Sequence, residues 1–310
     1  MKQYWPILKD RLLAGEYHPQ GVRAVQIPKP KGGTRQLGIP SVVDRLIQQA
    51  LLQQLTPIFD PLFSDYSYGF RPGRSAHQAI GTARAHVAAG HRWYVELDLE
   101  KFFDRVNYDV LMAYVERQIE DKRVLMLIRR YFEAGTMSGG IVSRREEGAS
   151  QGGPLSPLLS NILLNELDRE LERRGYRFVR YADDANIYVR SSRAGERVMA
   201  SVERFLKQRL KLTLKREKSR VARPWTGDYL GYGMSWHQQP RLRVAMMSLG
   251  RLRDRLRDLL RGARGHKMAN VIERINPVLR GWAGYFKFSQ SKRPLEELDS
   301  WVRHKFRCIA

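Results

Sequence analysis

Residues 178–189, FVRYADDANIYV, join two apolar runs typical of β-strands through a short turn that carries two adjacent aspartates. Antiparallel strands can be joined by so short a turn, so this stretch predicts a hairpin in an antiparallel sheet. Asp183 and Asp184 repel each other there, and the pair needs something of opposite charge to stabilise it. The hairpin therefore predicts both a sheet and a charged ligand.

A second strand carries another carboxylate. Residues 92–99, RWYVELDL, alternate between apolar and polar positions, which places Asp98 on the polar face near the end of the strand. Three carboxylates converging at one sheet edge suit divalent cations, with Mg²⁺ favoured and Mn²⁺ as the alternative. Two such ions form the clamp used for in-line attack at phosphorus. By itself, an Asp-Asp pair in a turn is more often a helix cap or a solvated turn.

The charge balance indicates the class of partner. The chain of 310 residues has 55 Lys and Arg against 32 Asp and Glu, a formal net charge of +23. Such an excess favours a polyanion, with nucleic acid as the first candidate and a basic surface that only aids solubility as the alternative. The single cysteine, Cys308, excludes a disulfide framework or a multi-cysteine zinc site. Without a signal sequence or a long apolar run, the chain is expected to be cytoplasmic, with no membrane partner.

The order of the patterns predicts an α+β fold. From Trp93 onwards it runs strand, helices, long helix, hairpin, helix and strand, as in a ferredoxin-like antiparallel sheet backed by helices. Ser41 and Asp44 form a capping box for a helix that is expected to stop near Pro57. From about residue 245 the pattern changes to arginine-rich helices. This region predicts a basic helical domain that tracks phosphates, with a solvated helix face as the alternative.

Several motifs occur together and in a fixed order. IPKPKGGTRQLGIPSVVDRLIQQAL and YGFRPGRSAHQA come first, then ELDLEKFFDRVN, SQGGPLSPLLSNILLNELD, YADD, LKLTLKREKSR and YLGYG, and finally INPVLRGWAGYF with LDSWVRHKF. Together they resemble the reverse transcriptases encoded by bacterial group II introns, from the fingertip blocks through the palm to the maturase or thumb domain. The resemblance covers nearly the whole chain.

The resemblance implies a right-hand polymerase, with fingers, a palm built on the antiparallel sheet and a C-terminal three-helix thumb. We expect fingers and palm over residues 1–240, the fingers mainly at 1–92 and 110–150 and the palm mainly at 93–109 and 151–240. The thumb, similar to maturase domain X, is expected over residues 241–310. Compared with the family, the chain is expected to be shortened in its N-terminal extension and its basic C-terminal tail.

The resemblance also assigns roles around the three aspartates. Asp98, Asp183 and Asp184 would bind two Mg²⁺ ions, and Lys218 would give a proton to the leaving pyrophosphate, with Lys215 and Arg216 close beside it. Four further residues would contact the incoming dNTP, namely Lys29 and Arg35 at the triphosphate, Phe103 at the sugar and Gln151 at the nucleotide and template. Phe102 or Phe103 is expected to be a core residue.

Contacts with nucleic acid are expected from the fingers, the palm and the thumb. The residues are Arg71, Arg74, Tyr181, Arg251, Arg255 and Arg261. The aromatic residues of the thumb are expected to form its core. The sequence contains no pattern typical of a zinc-dependent endonuclease or of RNase H, so we expect no metal other than the divalent catalytic ions.

The leading hypothesis is thus an RNA-directed DNA polymerase that uses an RNA template, a DNA primer and dNTPs, in a ribonucleoprotein with group II intron RNA. One alternative is an RNA-binding splicing maturase in which polymerisation is secondary. Another is a reverse transcriptase associated with CRISPR adaptation or phage defence. The presence of all three aspartates and Phe103 favours the polymerase.

Overall fold

The computed structural model describes residues 4–28, 33–100, 102–138, 141–143, 152–263 and 265–308. The chain divides into two compact units. The first comprises Met1–Ala79, Val95–Ile187 and Glu196–Arg220, and the second comprises Ile80–Tyr94, Tyr188–Gly195 and Val221–Ala310. In the described ranges, no helix has the length and apolar character needed to cross a membrane.

Helices and strands alternate along the chain, which confirms the expected α+β class. The helices are α1 Trp5–Leu13, α2 Val42–Phe59, α3 Ala76–Ala88, α4 Tyr108–Val115, α5 Lys122–Glu133, α6 Ser156–Arg173, α7 Ser192–Phe205, α8 Met246–Leu260, α9 Met268–Tyr285 and α10 Arg293–Arg307. The strands are β1 Val22–Pro28, β2 Thr34–Ile39, β3 Trp93–Leu97, β4 Thr136–Ser138, β5 Ile141–Ser143, β6 Arg177–Tyr181, β7 Asp184–Val189, β8 Arg220–Ala222, β9 Asp228–Tyr229, β10 Tyr232–Met234 and β11 Leu242–Val244.

The first unit contains a four-stranded sheet in the order β2-β1-β4-β5. Strand β1 is antiparallel to β2 and parallel to β4, and β4 is antiparallel to β5. Strands β1 and β2 therefore pair as consecutive antiparallel strands. Helix α2 follows, capped as expected by the Ser41 hydroxyl, which accepts a hydrogen bond from the Asp44 N–H. It ends at Phe59, two residues past Pro57 and thus near the expected position, because a proline in the last turn removes only one hydrogen bond.

The second sheet has the strand order β6-β7-β3-β8. Strands β6 and β7 are joined by two residues, so they run antiparallel. Helix α6 contacts β6 through an apolar face that recurs every three to four residues. The apolar residues at this spacing are all buried, namely Leu158, Leu159, Ile162, Leu163, Leu167 and Leu171. Each such side chain contributes about 1.5–3 kcal/mol of transfer free energy. Ser156 followed by Pro157 is the usual order of an N-cap and a first helical position, and so predicts Ser156 as the N-cap. The helix instead begins at Ser156, and its N-cap is Leu155.

The second unit contains the small sheet β11-β10-β9 and the helices α8, α9 and α10. In α8 the leucines Leu249, Leu252 and Leu256 are buried and Leu259 is half-buried, while Arg251 and Arg255 are exposed, as the leucine and arginine spacing predicts. Helix α9 contacts α8, and the Arg257 guanidinium of α8 lies 5.6 Å from the ring of Trp301 in α10. The expected C-terminal group of three helices is present. The functional division into fingers, palm and thumb remains a proposal.

Candidate active site

The two aspartates of the hairpin lie where buried strands reach the surface. Strand β6 ends at Tyr181, strand β7 begins at Asp184, and Ala182 and Asp183 form the turn between them. Ala182 has a φ of 57°, the left-handed conformation that such short turns require. The strands on either side are buried, whereas Asp183 and Asp184 are exposed. The sheet therefore presents two neighbouring carboxylates to solvent at one point.

A buried ion pair fixes this turn to helix α6. The Arg180 side chain is 1% exposed and that of Asp168 is 0% exposed. The Arg180 Nε donates to both carboxylate oxygens of Asp168, at 2.8 and 3.0 Å, and its Nη2 donates to Oδ2 at 2.6 Å. Its Nη1 donates to the Asn161 Oδ1 and to the Ala182 carbonyl, each at 2.9 Å. One guanidinium thus holds the turn by its backbone and balances a carboxylate that has no contact with solvent.

A loop supports the same turn from another side. The Tyr68 N–H donates to the Arg180 carbonyl and the Arg180 N–H donates to the Tyr66 carbonyl, each at 2.9 Å. This pairing brings Gly69 against the turn, where a Cβ on Gly69 would lie 2.2 Å from the Ala182 nitrogen. No side chain fits in that space, so the backbone approach requires glycine. The Gly69 carbonyl accepts a hydrogen bond from Asn161 Nδ2 at 2.8 Å.

The third carboxylate, Asp98, follows directly after β3. Its N–H donates to the Ser219 Oγ at 3.1 Å, and its carbonyl accepts from the Lys215 N–H at 2.8 Å. Beside it, the Glu100 N–H donates to the Thr213 carbonyl at 2.9 Å. Residues 213–219 therefore hold the backbone of Asp98 on both sides.

The charges of these residues interact. Desolvation by the surrounding protein, and then the neighbouring charges of Asp183, Asp98 and Glu96, together raise the pKa of Asp184 to about 6, while Lys218 opposes them. Asp183 and Asp98 therefore lie close enough to Asp184 to affect its ionisation. The Lys218 Nζ lies 3.4 Å from the Asp98 Oδ2. The structure thus brings together the three predicted aspartates and the predicted lysine.

Of the three basic residues that the sequence places side by side, only Lys218 faces Asp98 in an ion pair of the described chain. Lys215 pairs with Glu217 at 3.9 Å, and the Arg216 Nε donates to Glu203 at 2.8 Å. Lys218 is therefore the one of these three cations that contacts Asp98.

The donor chemistry at this site fits divalent cations of the Mg²⁺ and Mn²⁺ type, because all three acidic side chains offer carboxylate oxygens. Within the described ranges, no group of three or more His, Cys, Asp or Glu side chains has the spacing of a preformed metal site. The charges of the three carboxylates interact, but their side chains are not arranged as a preformed set of metal ligands. The Lys218 ammonium beside Asp98 offsets part of their charge.

The residues expected at the nucleotide are only partly described. Lys29 and Gln151 lie outside the described residues. Arg35 pairs through its backbone with Ile27 in the β1–β2 hairpin. Phe102 is 2% exposed, while Phe103 is partly exposed and meets it edge-on, with ring centroids 5.1 Å apart. Phe102 is thus the core residue of the pair, and Phe103 keeps a face free of the core.

The arginines expected to contact nucleic acid differ in their surroundings. The Arg71 side chain is 5% exposed, pairs with Asp60 at 2.7 Å and donates to the carbonyls of Ser64 and Ser67. Arg71 therefore holds a loop together, and its guanidinium is not presented at the surface. Arg74 is more exposed, at 29%, and pairs with Asp65 at 2.6 Å. Tyr181 is partly exposed at the end of β6.

Two of the three candidate arginines of the second unit line one cavity. Arg251 and Arg255 lie beside Trp282 and Phe286 in a cavity of about 520 Å³. Arg261 pairs instead with Asp258 at 3.3 Å. The Tyr285 hydroxyl donates to the Leu230 carbonyl at 2.8 Å, which ties the end of α9 to the turn between β9 and β10. Trp282 is half-buried and Phe286 buried, as expected for core residues.

The aspartate pair predicts a pH dependence in the absence of metal ions. Because the pKa of Asp184 rises from 3.8 to about 6 on folding, the folded state loses stability as the pH rises from about 4 to about 6. An Asp184→Asn variant does not show this loss of stability, because asparagine does not ionise. Since the side chain is exposed, solvent screening leaves only part of the effect. At pH 8 in a chelator, we expect the melting temperature of the variant to be about 2–4 °C above that of the wild type. At pH 4 we expect no such increase.

Thermal melts at both pH values measure this difference. The matched control is Asp109→Asn, whose carboxylate is 77% exposed and lies on α4. A lower melting temperature for Asp184→Asn than for the wild type at pH 8 would contradict the prediction.

Five residues that hold the site are absent from the sequence prediction, namely Gly69, Asn161, Asp168, Arg180 and Ser219. A signal for one of them exists in the sequence. Asp168 occupies the same helical face as Leu164 and Leu171, and a carboxylate on an apolar face requires a buried partner. Arg180, which follows the apolar Phe178 and Val179 in β6, is a basic residue that could supply it.

The mixed helix and strand fold and the three carboxylates are consistent with the fold of reverse transcriptases. The chain belongs to the reverse transcriptase (RNA-dependent DNA polymerase) family, which matches residues 27–234. A second family, the group II intron maturase-specific domain, matches residues 249–310. The resemblance found in the sequence is confirmed by both matches.

Two curated relatives show the same relationship. Protein YkfC of Escherichia coli (strain K12) is 44% identical over 172 residues, which are 54% of this chain and 45% of that protein. The group II intron-encoded protein LtrA of Lactococcus lactis subsp. cremoris is 40% identical over 163 residues, 52% of this chain and 26% of that protein. The chain thus spans less than half the length of either relative. The telomerase structure from Candida albicans covers 93% of this chain and 56% of its own, at 13% identity and a TM-score of 0.56, a likeness of fold alone.

Proposed function

We propose that the chain is an RNA-directed DNA polymerase of the group II intron type, which extends the 3′-hydroxyl of a primer with dNTPs on an RNA or DNA template. The observation that supports this proposal is that Asp98, Asp183 and Asp184 lie close enough for their charges to interact. They do so in a chain that belongs to the reverse transcriptase family. The family depends on divalent metal ions, and we propose Mg²⁺, with Mn²⁺ as the alternative.

The three aspartates would hold two such ions, which when bound neutralise charge on the phosphates and favour attack by the 3′-hydroxyl. In the reaction, a bond forms between the 3′-oxygen and the α-phosphorus, and the bond between the α-phosphorus and the bridging oxygen of pyrophosphate breaks. The hydroxyl loses its proton, and the leaving pyrophosphate gains one. Lys218, beside Asp98, is our proposed donor of that proton.

The remaining assigned residues would position the reactants. Lys29 and Arg35 would bind the triphosphate, because guanidinium and ammonium groups match phosphate oxygens. Phe103, partly exposed and supported edge-on by buried Phe102, would lie against the sugar and exclude a 2′-hydroxyl. Gln151 would contact the nucleotide and template, and Tyr181 and Arg74 the nucleic acid.

The thumb suggests a second function. The maturase-specific match over residues 249–310 includes Arg251, Arg255 and Arg261 on or beside α8, and relatives such as LtrA are named as group II intron-encoded proteins. We propose that these arginines contact intron RNA and that the chain acts in a ribonucleoprotein as a splicing maturase as well. Nothing in the described residues favours a role in CRISPR adaptation or phage defence over these two.

Primer extension tests the polymerase. A DNA primer annealed to an RNA template should be extended by the wild-type chain when dNTPs and Mg²⁺ are supplied, and far less when rNTPs replace dNTPs. Two controls, one with a chelator and one without template, separate templated synthesis from terminal addition. Extension that needs no template, or equal use of rNTPs, would contradict the proposal.

A further inference from the structure

A surface rich in arginine lies in the first unit, apart from the residues of the candidate active site. Two adjoining cavities of about 580 and 330 Å³ are formed by α4, α6, α7 and the π-helical turn at Leu206–Leu210, and both are lined by Glu170, Arg173, Phe205 and Arg209. We call this surface the arginine groove. Its arginines are Arg117, Arg169, Arg173, Arg174, Arg204 and Arg209.

The groove has a charge that its own residues do not balance. Six arginines face two glutamates of the lining, Glu166 and Glu170, and Arg169 pairs with a third, Glu172, at 3.5 Å, which leaves a net charge of +3. Glu170 accepts hydrogen bonds from Arg173 and Arg174 at 2.7–2.9 Å, and Glu166 accepts one from Arg117 at 3.2 Å. The two acids are thus already engaged within the groove.

The side of the groove built by α7 and the following turn carries the excess. Arg204 and Arg209 are exposed, and among the described residues neither has a carboxylate within 4 Å. Like charges held this close together repel each other, and an anion that occupies the groove relieves the repulsion. The anion has to offer several charges, because the unbalanced arginines are spread over two cavities.

The chemistry of the lining favours a phosphate chain. Guanidinium groups bind phosphate oxygens bidentately, and a backbone supplies such groups at regular intervals. Phe205 lines both cavities, and Tyr114, with the Arg117 guanidinium 4.4 Å from its ring centroid, lines one of them. Aromatic rings between cations are typical of surfaces that bind single-stranded nucleic acid.

We propose that the arginine groove binds the phosphate backbone of RNA at a second surface, separate from the three aspartates. The choice of RNA over DNA rests on the proposed function. The inference that the groove binds a phosphate backbone rests only on its arginines and aromatic residues. The groove would hold a part of the RNA that is not being copied. It would thereby add affinity for long or structured RNA without contributing to nucleotide addition.

A double variant, Arg204→Gln with Arg209→Gln, tests this surface. Its matched control is Arg197→Gln with Lys207→Gln, which removes the same charge from exposed positions on α7 and the following turn that line neither cavity. Binding of a fluorescent, structured RNA is measured by anisotropy over a range of salt concentrations, without primer, dNTPs or divalent ions. An inactive polymerase therefore does not affect the result.

We expect the groove variant to bind the RNA at least about tenfold more weakly than the wild type, and its dependence on salt to be shallower by about one phosphate contact or more. The control pair should lose less than about threefold, the general effect of charge. Extension on a short primer and template should remain near the wild-type rate. The affinity of the charge-preserving variant Arg204→Lys with Arg209→Lys should lie between those of the glutamine variant and the control pair, because it keeps the charge but loses bidentate contacts.

Several outcomes would overturn the proposal. If the groove variant and the control pair lose affinity equally, the groove holds no RNA. If polyglutamate displaces the RNA more strongly than free RNA of equal charge does, the groove binds an acidic protein. If DNA of the same sequence competes as well as RNA, the assignment to RNA is wrong. Should the glutamine variant unfold, the lysine variant alone decides, since it too is expected to bind more weakly than the control pair.

Discussion

An Asp183→Asn protein is expected to extend a DNA primer on an RNA template at least about 1000-fold more slowly than the wild type, while it still binds the primer and template. The reason is that Asp183 is exposed in the turn, so its substitution removes one ligand for the divalent ions without disturbing the core. Single-turnover incorporation of one dNTP measures the rate, and anisotropy measures binding. Support of intron splicing, which needs no catalytic carboxylate, should persist in the same variant.

The control for this loss is Asp109→Asn, a change of the same chemistry at an exposed position on α4. It should retain the wild-type rate. If Asp183→Asn incorporates the nucleotide within tenfold of the wild type, the carboxylate has no part in the chemistry and the proposed role of the turn fails.

Substitution of Arg180 by methionine is expected to lower the free energy of unfolding by about 3–5 kcal/mol. The change leaves Asp168 buried without its partner and removes a hydrogen bond from the Ala182 carbonyl. Urea denaturation measures the loss. The matched control is Arg173→Met, which removes a 70% exposed arginine from α6 and should cost about 1 kcal/mol or less.

The double variant Arg180→Met with Asp168→Leu separates stability from positioning. Removing both charges should recover most of the lost stability, because the buried carboxylate is no longer left unpaired. Primer extension should stay impaired, since the turn that carries Asp183 has still lost its anchor. A loss of less than 1 kcal/mol in the single variant, or full activity in the double variant, would contradict the role assigned to this pair.

The elements that could be predicted from the sequence are those with one face buried along their whole length. The six apolar residues of α6 recur at helical spacing, and all are buried in the structure. The hairpin of β6 and β7 follows from two apolar runs with a turn between them. Element ends could be predicted less well, because they depend on local geometry. Helix α2 ends two residues past Pro57, and the N-cap of α6 is Leu155, one residue before the Ser-Pro pair.

The candidate site shows the same contrast. Strand alternation places Asp98 on a polar face, and the hairpin places Asp183 and Asp184 in or beside its turn, so the acidic residues could be found from sequence. What holds them depends on contacts between distant parts of the chain. Ser219 binds the backbone of Asp98 across 121 positions, and Asn161 binds Gly69 across 92. Periodicity carries no information about such pairs. The pair of Asp168 and Arg180 is the exception, because a carboxylate on an apolar helix face indicates a buried partner.

We propose that this chain copies RNA into DNA at Asp98, Asp183 and Asp184. The most direct measurement is to supply an RNA template of mixed sequence with a DNA primer, dNTPs and Mg²⁺, and to sequence the product. We predict DNA complementary to the template from the wild type, and no product above background from Asp183→Asn at the same protein concentration. No extension by the wild type, a product unrelated to the template, or equal synthesis by the variant would contradict the claim.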